Sequence, residues 1–398
     1  MKAAPSREVE ILHPDNEAQV LDAVRWAAAE EVRLELRSGG TKRALGRPVR
    51  ADRTLDLSGL SGIALHEPEE LVMSCGPGTS LAEVAAALSA SRQQLAFEPP
   101  DLGPLLGAPA GEATLGGVFS CNLSGPRRIK AGAARDHLLG LSAVSGRGEA
   151  FKAGGRVVKN VTGYDVCKLM TGAYGTLGAL TGLTFKVLPA PEETRTVVVR
   201  GLEDEAAVEA MGLALRSPHD VSGAAHLPAA LGGEARTAIR LEGFGPSVAY
   251  RSGKLTEALS AFGEMDFLDD EVSADFWRGV RDVRPFVGDD RIVWKLSVPP
   301  AQGAAVAAAI GAAHFFDWGG GLIWVALPPE EIDGAARVRA AVDASGGHAT
   351  LVRAPDSVRG ATDVFHPQPA ALAALTARIK DSFDPKRILN PGRMYPGI

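Results

Sequence analysis

Cysteine is scarce in this sequence, which has three in 398 residues: Cys75, Cys121 and Cys167. They stand 46 residues apart, and no C-x-x-C pair occurs. Disulfide frameworks and iron–sulfur clusters use more cysteines at closer spacings, so both are poor interpretations. We expect the three thiols to be small buried hydrophobic groups in a reducing compartment.

Neither an excess of one charge nor a long apolar run is present. The chain has 42 basic and 48 acidic residues, with a formal net charge of −6. This balance argues against a protein that mainly binds nucleic acid. No run approaches about 18 consecutive apolar residues, and the N-terminus lacks the apolar segment of a secretion signal. We expect a cytoplasmic protein without direct membrane insertion, which would reach a membrane only through partner subunits.

Three catalytic signatures are also missing. The sequence contains no G-x-x-x-x-G-K-[ST], no H-E-x-x-H and no G-x-S-x-G. Their absence argues against nucleotide hydrolases of the P-loop type, zinc proteases and serine hydrolases. The eight histidines are scattered, so we expect no metal site built from this chain.

Glycine, by contrast, is abundant and unevenly distributed. The chain has 46 glycines, and residues 103–182 hold 17 of them in 80 positions. Disorder is a poor explanation, because 45% of the residues are hydrophobic. A glycine-dense block in a foldable chain indicates close backbone approach or positive φ angles.

The hydrophobic pattern changes near Pro189-Ala190-Pro191, which we interpret as a domain boundary. Before it, the pattern predicts helices at 16–30 and after the Ser80/Glu83 capping box, and strands at 32–36, 54–57 and 71–75. Short apolar pieces stand between turns at 138–144, 156–158 and 180–187. After it, strands at 197–200, 238–241, 292–298 and 322–327 alternate with helices at 204–216, 247–262, 300–313 and 330–344. A last helix is predicted at 369–380, and the whole pattern favours an α+β chain.

Two glycine loops are suited to bind phosphate. Residues 38–42, Ser-Gly-Gly-Thr-Lys, follow a predicted strand and offer consecutive backbone N–H groups, as a phosphate nest or a hairpin turn would. The second loop, at 113–117 and 122–125, has glycines at 116, 117 and 125. Hydroxyl and amide groups come from Thr114, Asn122 and Ser124. Two such loops suit a ligand with two phosphates. A third segment, K-N-V-T-G-Y-D at 159–165 and G-A-Y-G-T-L-G at 172–178, allows a turn to pack against a flat ligand.

The order of these motifs, with F-D-P-x-R-I-L-N-P-G at 383–392, resembles the p-cresol methylhydroxylase/vanillyl-alcohol oxidase family of FAD enzymes. Within that family it looks most like the FAD-binding E subunits of bacterial glycolate oxidases. The resemblance is strong over residues 8–190, good over 378–395 and only general between them. It implies an α+β fold with an FAD-binding lobe of two α+β subdomains at 1–190, an α+β cap at 191–355, and a C-terminal segment at 356–398 that returns to the lobe.

The resemblance also implies the cofactor-binding residues. The loops matching 38–42 and 114–117 would enclose the FAD pyrophosphate, residues 163–164 would lie near the flavin, and 178–181 near the adenosine. The implied set is Ser38, Gly39, Gly40, Thr41, Lys42, Thr114, Gly116, Gly117, Ser124, Gly125, Gly163, Tyr164, Gly178, Leu180 and Thr181. Members that bind FAD covalently through the first loop use a histidine there. Because Thr41 and Lys42 stand in its place, we expect non-covalent binding.

By the same resemblance, the chain would oxidise glycolate, a small 2-hydroxy acid, to glyoxylate. That chemistry needs a cation for the carboxylate and a base for the hydroxyl proton. The candidates are Arg353, Lys295, His348 and Tyr164. Related catalytic subunits carry an acidic-His-Gly motif near the end of the cap, whereas Gly347-His348-Ala349 stands here.

Electrons would leave through partners, which the resemblance implies to be a second FAD-binding subunit and an iron–sulfur subunit. Two alternatives stay open. The chain could be a non-catalytic FAD-containing scaffold or electron-relay subunit of that complex, or a stand-alone FAD-dependent dehydrogenase for a hydroxy acid or alcohol.

Overall fold

The structure, a computed structural model, describes residues 10–156 and 163–398. Its first unit is a three-stranded parallel sheet of order β1-β3-β2 with one helix against it: β1 (Ile11–Leu12), α1 (Glu17–Glu30), β2 (Leu34–Arg37) and β3 (Arg53–Asp56). Asn16 caps α1 by accepting the N–H of Gln19 at 3.0 Å. Val20, Val24 and Ala27 recur on one face of the helix and are fully buried.

The second unit is built on a five-stranded antiparallel sheet of order β4-β5-β9-β7-β8. Its elements are β4 (Ile63–Glu67), β5 (Val72–Cys75), α2 (Leu81–Ala90), β6 (Gln93–Gln94), α3 (Leu115–Ser120), α4 (Arg128–Ala131), α5 (Ala134–His137), β7 (Leu138–Ser145), β8 (Glu149–Gly154), α6 (Val166–Met170), β9 (Gly178–Lys186) and β10 (Leu188–Pro189). The side chain of Ser80 accepts the N–H of Glu83 at 3.1 Å and caps α2, as its sequence predicts. We call these first two units together the first lobe.

The third unit is an antiparallel sheet of eight strands, which we call the cap sheet, in the order β14-β11-β13-β12-β16-β17-β15-β18. Its elements are β11 (Glu193–Arg200), α7 (Asp204–Arg216), β12 (Gly223–Leu227), β13 (Arg236–Gly243), α8 (Gly245–Leu259), β14 (Met265–Asp269), α9 (Asp270–Arg281), β15 (Ile292–Ser297), α10 (Gly303–Ile310), β16 (Ala313–Asp317), β17 (Leu322–Leu327), α11 (Ala335–Ser345) and β18 (His348–Arg353).

The two faces of the cap sheet belong to different cores. Alternate residues of a strand point to opposite faces. Phe316 and Ile323 pack with helices α7, α8, α10 and α11, whereas Phe315 and Trp324 share a core with the first lobe. The cap sheet therefore forms a wall that stands directly against the first lobe.

A buried network of charges, which we call the clamp, crosses this boundary. Arg240 of β13 donates to both carboxylate oxygens of Glu98, at 3.1 and 3.0 Å. Glu98 and Arg127 belong to the first lobe, and Glu242 belongs to β13. Arg127 pairs with Glu98 at 3.2 Å and with Glu242 at 2.7 Å. Burial alone would raise the pKa of Glu242, but Arg240 and Arg127 hold it at about 2. The clamp thus joins the first lobe to the cap sheet by paired charges.

The chain ends on the first lobe, after α12 (Asp356–Ala361) and α13 (Ala370–Phe383). Lys380 and Asp384 form a fully buried ion pair at 2.7 Å. The Asn390 side chain accepts the N–H of Leu36 at 2.8 Å and donates to the carbonyl of Tyr174 at 2.7 Å. These bonds fix the C-terminal segment beside β2.

Helices and sheets occur throughout, which confirms the predicted α+β class. Helix α7 has the predicted bounds, and most predicted elements appear within a few residues. The sequence pattern missed several elements, among them β4, β8, β12, β14, β16, β18 and α9, and the apolar piece at 156–158 lies mostly outside the described residues. Cys75, Cys121 and Cys167 are free and buried as predicted, and burial raises the pKa of each thiol. Within the described ranges, no helix is long and apolar enough to cross a membrane.

We expect the clamp to be sensitive to the loss of one partner. Arg240→Met would leave Glu98 buried with fewer counter-charges and lower the free energy of unfolding by about 3–5 kcal/mol. Urea unfolding measures this change. The matched control is Arg278→Met, which removes an exposed arginine from its pair with Asp275 and should have no measurable effect. Equal stability of the two variants would contradict the role of the clamp.

Candidate cofactor and substrate site

The loop after β2 and the start of α3 face each other across a cavity, which we call cavity 1. Its empty volume, which includes the space open to solvent, is about 670 Å³. Strand β9 and the C-terminal segment complete its walls. Ten of the residues predicted from the sequence line it: Ser38, Gly39, Gly40, Thr41, Lys42, Thr114, Gly116, Gly117, Gly178 and Leu180.

The glycines of the two loops are required mainly by the way the loops pack. A Cβ at Gly39 would clash with the carbonyl of Glu112, and one at Gly116 would lie 2.8 Å from Pro77 Cβ. Gly40 has open space around it but a φ of +76°, which favours glycine. The glycines therefore allow the loops to touch, and this contact shapes cavity 1.

Two buried cations in cavity 1 lack carboxylate partners among the described residues. Lys42 is 7% exposed, and its ammonium lies 3.3 Å from the hydroxyl of Thr41. Burial lowers the pKa of Lys42. Arg393, which is 6% exposed, donates to the carbonyl of Lys42 at 2.7 Å, but its Nε has no described partner. The buried hydroxyl of Ser38 has none either.

Buried polar groups in proteins are normally hydrogen-bonded. Among the described residues, the Nε of Arg393 and the hydroxyl of Ser38 have no hydrogen-bond partner, and the Lys42 ammonium has no carboxylate partner; all three groups lie beside a glycine loop. They fit a ligand with several negative oxygens, and a diphosphate is such a ligand. The residues of cavity 1 therefore fit the FAD that the sequence predicts. Arg393 was not among the predicted site residues, because nothing local distinguishes it from other arginines.

A second cavity, cavity 2, lies between the first lobe and the cap sheet, with an empty volume of about 810 Å³. Cys121 and Tyr174 line both cavities, so the two are neighbours. Ser124 and Gly125 line cavity 2 rather than cavity 1. The hydroxyl of Ser124 accepts the N–H of Ala134 at 2.9 Å, so it stabilises its own loop.

The charged groups of cavity 2 come from the cap sheet. Lys295 of β15 faces the cavity, with its ammonium 5.1 Å from the centre of the Trp318 ring. Burial lowers its pKa to about 8. Asp317, at the end of β16, is 2% exposed, and burial raises its pKa to about 7. Asp317 was not predicted, although the D-W-G-G-G run at 317–321 is a usable signal.

The other catalytic candidates are less favourably placed. His348 lines cavity 2 at the start of β18, but much of the residue is exposed. Burial of part of its ring, together with nearby basic groups, lowers its pKa. Arg353 donates to the carbonyls of Arg291 and Phe286 at 2.9 and 2.7 Å and pairs with Asp289. It therefore stabilises a cap loop and lines neither cavity.

Three further predicted cofactor residues lie away from both cavities. Thr181 donates to a carboxylate oxygen of Glu17 at 2.6 Å and lines a separate groove beside α1. Gly163 has a φ of +80°, and Tyr164 is 96% exposed. Residues 157–162 precede them and lie outside the described ranges, with Lys159 and Asn160 of the predicted motif.

Comparison with known proteins supports FAD as the cofactor. A family model described as an FAD binding domain matches residues 10–154 and confirms FAD as the cofactor. Glycolate oxidase subunit GlcE of Escherichia coli K12 is 34% identical over 382 residues, which cover 96% of this chain and 98% of that protein. Glycolate oxidase subunit GlcD of Bacillus subtilis is 27% identical over 222 residues, covering 56% of this chain and 44% of that protein.

Two solved structures share the fold. p-Cresol methylhydroxylase with bound substrate gives a TM-score of 0.72 at 16% identity, covering 96% of this chain and 88% of that one. Alkyldihydroxyacetonephosphate synthase gives 0.68 at 16% identity, covering 96% and 75%. They confirm the predicted fold of the p-cresol methylhydroxylase type. With the similarity to the Escherichia coli subunit over nearly the whole of both chains, the conclusion is that this chain belongs to the glycolate oxidase subunit GlcE family of FAD-binding proteins.

Proposed function

We propose that this chain binds FAD non-covalently in cavity 1 and oxidises glycolate to glyoxylate in cavity 2. The observation that carries the proposal is the meeting of two buried cations, Lys42 and Arg393, at a glycine loop of an FAD-binding family; neither has a carboxylate partner among the described residues. Bound FAD supplies the hydride acceptor that oxidation of an alcohol requires. Cavity 2 adjoins cavity 1 and holds Lys295, a cation suited to a carboxylate.

The chain's own residues would hold and orient the cofactor. Lys42 and Arg393 would neutralise the diphosphate, and the Ser38 hydroxyl would gain the partner that it lacks among the described residues. The backbone around Gly40 and Gly117 would approach the phosphates closely. No histidine stands in residues 38–42, which favours non-covalent binding.

The remaining predicted roles are kept as proposals. Gly163 and Tyr164 would lie near the flavin, Thr181 near the adenosine, and Ser124 and Gly125 where cavity 2 approaches the cofactor. We also propose the domain division 1–190, 191–355 and 356–398. Its support is that the strands of the cap sheet all lie between residues 193 and 353, and that the segment after α13 bonds to β2.

We further propose that electrons leave through a second FAD-binding subunit and an iron–sulfur subunit, and that any contact with a membrane is made by these partners. The names GlcE and GlcD of two relatives indicate an oxidase of several subunits. The three cysteines of this chain are fewer than the four that hold an iron–sulfur cluster.

A second candidate function is a subunit that carries FAD without oxidising the substrate itself. The observation in its favour is that Gly347, rather than an acidic residue, precedes His348. Buried, cavity-lining Asp317 and the cation Lys295 favour catalysis instead.

Lys42→Met and Arg393→Met should each weaken FAD binding roughly 10- to 100-fold, because each removes a charge-assisted hydrogen bond to phosphate. Calorimetric titration of the apoprotein with FAD measures the dissociation constant. Lys254→Met, which removes an exposed lysine paired with Glu257, is the control and should bind FAD normally. Folded Lys42 and Arg393 variants with unchanged affinity would show that FAD lies elsewhere.

Anaerobic addition of glycolate to the purified FAD-loaded chain should bleach the flavin absorbance. Bleaching by the chain alone supports direct catalysis. Bleaching that needs added GlcD-like subunit supports the non-catalytic role. A flavin that glycolate reduces under neither condition would contradict glycolate as the substrate.

A further inference from the structure

The turn that follows β16 has an unusual backbone. Trp318, Gly319 and Gly320 have φ angles of 53°, 67° and 96°, in the region that favours glycine. A Cβ at Gly320 would lie 2.9 Å from the carbonyl oxygen of Pro300. Such strained turns persist where the surrounding structure holds them, and they cluster at functional sites.

The first lobe holds this turn from the other side. The indole N–H of Trp318 donates to the carbonyl of Gly125 at 3.0 Å, and the guanidinium carbon of Arg128 lies 4.4 Å from the centre of the Trp318 ring. The turn is therefore held by contacts with the cap sheet and with the first lobe. These contacts also fix the position of Asp317 on the wall of cavity 2.

The carboxyl group of Asp317 is only partly used by this turn. One oxygen accepts the N–H of Trp318 at 2.7 Å. In the described part of the chain, no group donates to the other oxygen, and no cation lies within 4 Å of the carboxylate. Lys295, which lines the same cavity, likewise has no carboxylate within 4 Å among the described residues. A cation and a carboxylate thus share cavity 2 without pairing with each other.

We propose that Asp317 is the catalytic base of the reaction and that Lys295 binds the carboxylate of the substrate. This inference rests on the proposed function. Asp317 takes the proton of the glycolate hydroxyl as the O–H bond breaks, and the C–H bond breaks with transfer of its hydride to oxidised FAD. The C=O bond of glyoxylate forms from the electron pair left on oxygen. One proton and one hydride leave, so the two-electron oxidation is balanced.

Other groups of cavity 2 suit these roles less well. Burial raises the pKa of Tyr174 far above neutrality, so this tyrosine does not ionise to act as a base. Arg281 is held by Asp282 through two hydrogen bonds at 2.8 and 2.7 Å. His348 is exposed at the edge of the cavity.

The charges around Asp317 define a pH window. Burial is the largest cause of the raised pKa of Asp317, and Glu98 also opposes its ionisation, whereas the N–H of Trp318, Arg240 and Lys295 favour it. The pKa of Asp317 is raised to about 7, so the base is available above that pH. The pKa of Lys295 is lowered to about 8, so the cation is lost above that pH. Flavin reduction should therefore be fastest between about pH 7 and 8.

The first test is Asp317→Asn, which keeps the acceptor for the Trp318 N–H but takes no proton. We expect the FAD-loaded variant to be reduced by glycolate about 100-fold or more slowly. Asp289→Asn is the control. The Asp289 carboxylate accepts the N–H of Arg291 at 3.0 Å in another turn of the third unit, and Asp289 lines neither cavity. A wild-type rate in Asp317→Asn would overturn the assignment of the base.

Oxalate gives a readout that does not depend on activity, since this dicarboxylate has no C–H bond to oxidise. Its binding to the FAD-loaded chain can be followed by calorimetry. In the wild type, affinity should fall by up to about tenfold per pH unit above pH 7, as Asp317 becomes negative. Asp317→Asn should remove this dependence between pH 6 and about 7.5. An unchanged dependence would also overturn the assignment.

Lys295→Met tests the carboxylate-binding role, because methionine keeps a long apolar side chain without the charge. Oxalate should bind roughly 10- to 100-fold more weakly. Unchanged affinity would show that another group binds the carboxylate. Failure of the wild-type chain to retain FAD, or to be reduced by glycolate with or without partners, would instead contradict the proposed function.

Discussion

The arrangement of this protein depends on the clamp, the buried network in which Arg240 and Arg127 bind Glu98 and Glu242 across the boundary between the lobes. Removing charges from water is costly, and a buried pair gains little net stability over an apolar one. Removing one partner is far more costly, since the other charge is left buried. The clamp therefore favours one position of the cap sheet against the first lobe, and residues of both line cavity 2.

The charges of the two cavities contrast with those of the clamp. In the clamp, every carboxylate has an arginine at hydrogen-bond distance. Lys42 and Lys295, in the described part of the chain, have no carboxylate within 4 Å, and each is desolvated enough to lower its pKa. A protein tolerates such buried charges where a ligand supplies the opposite charge and the missing hydrogen bonds. The difference separates charges that stabilise the fold from charges available to a cofactor or substrate.

The glycine-rich block has a mixed explanation. Gly116 is needed because the second loop rests on Pro77, and Gly125 because its backbone lies against Glu98. Gly163 and Gly175 have positive φ angles. Composition predicted close backbone approach, and the structure shows that much of this approach is between protein segments. Packing between protein segments therefore shapes the two loops that line cavity 1.

The sequence alone determined many of the local elements, the FAD cofactor and the family. The Ser80 cap, the bounds of α7 and the residues 38–42 follow from signals within one or two turns of chain. Strands such as β12 and β16 were missed because their stability comes from neighbours in the sheet rather than from their own residues.

Arg393 and Asp317 were missed for a related reason. Arg393 lies some 350 residues from Lys42, whose carbonyl it binds, and Asp317 faces a cavity made by two lobes. Only the tertiary structure could decide these positions, because burial and the loss of water, which give such charges their chemistry, arise when distant segments pack together.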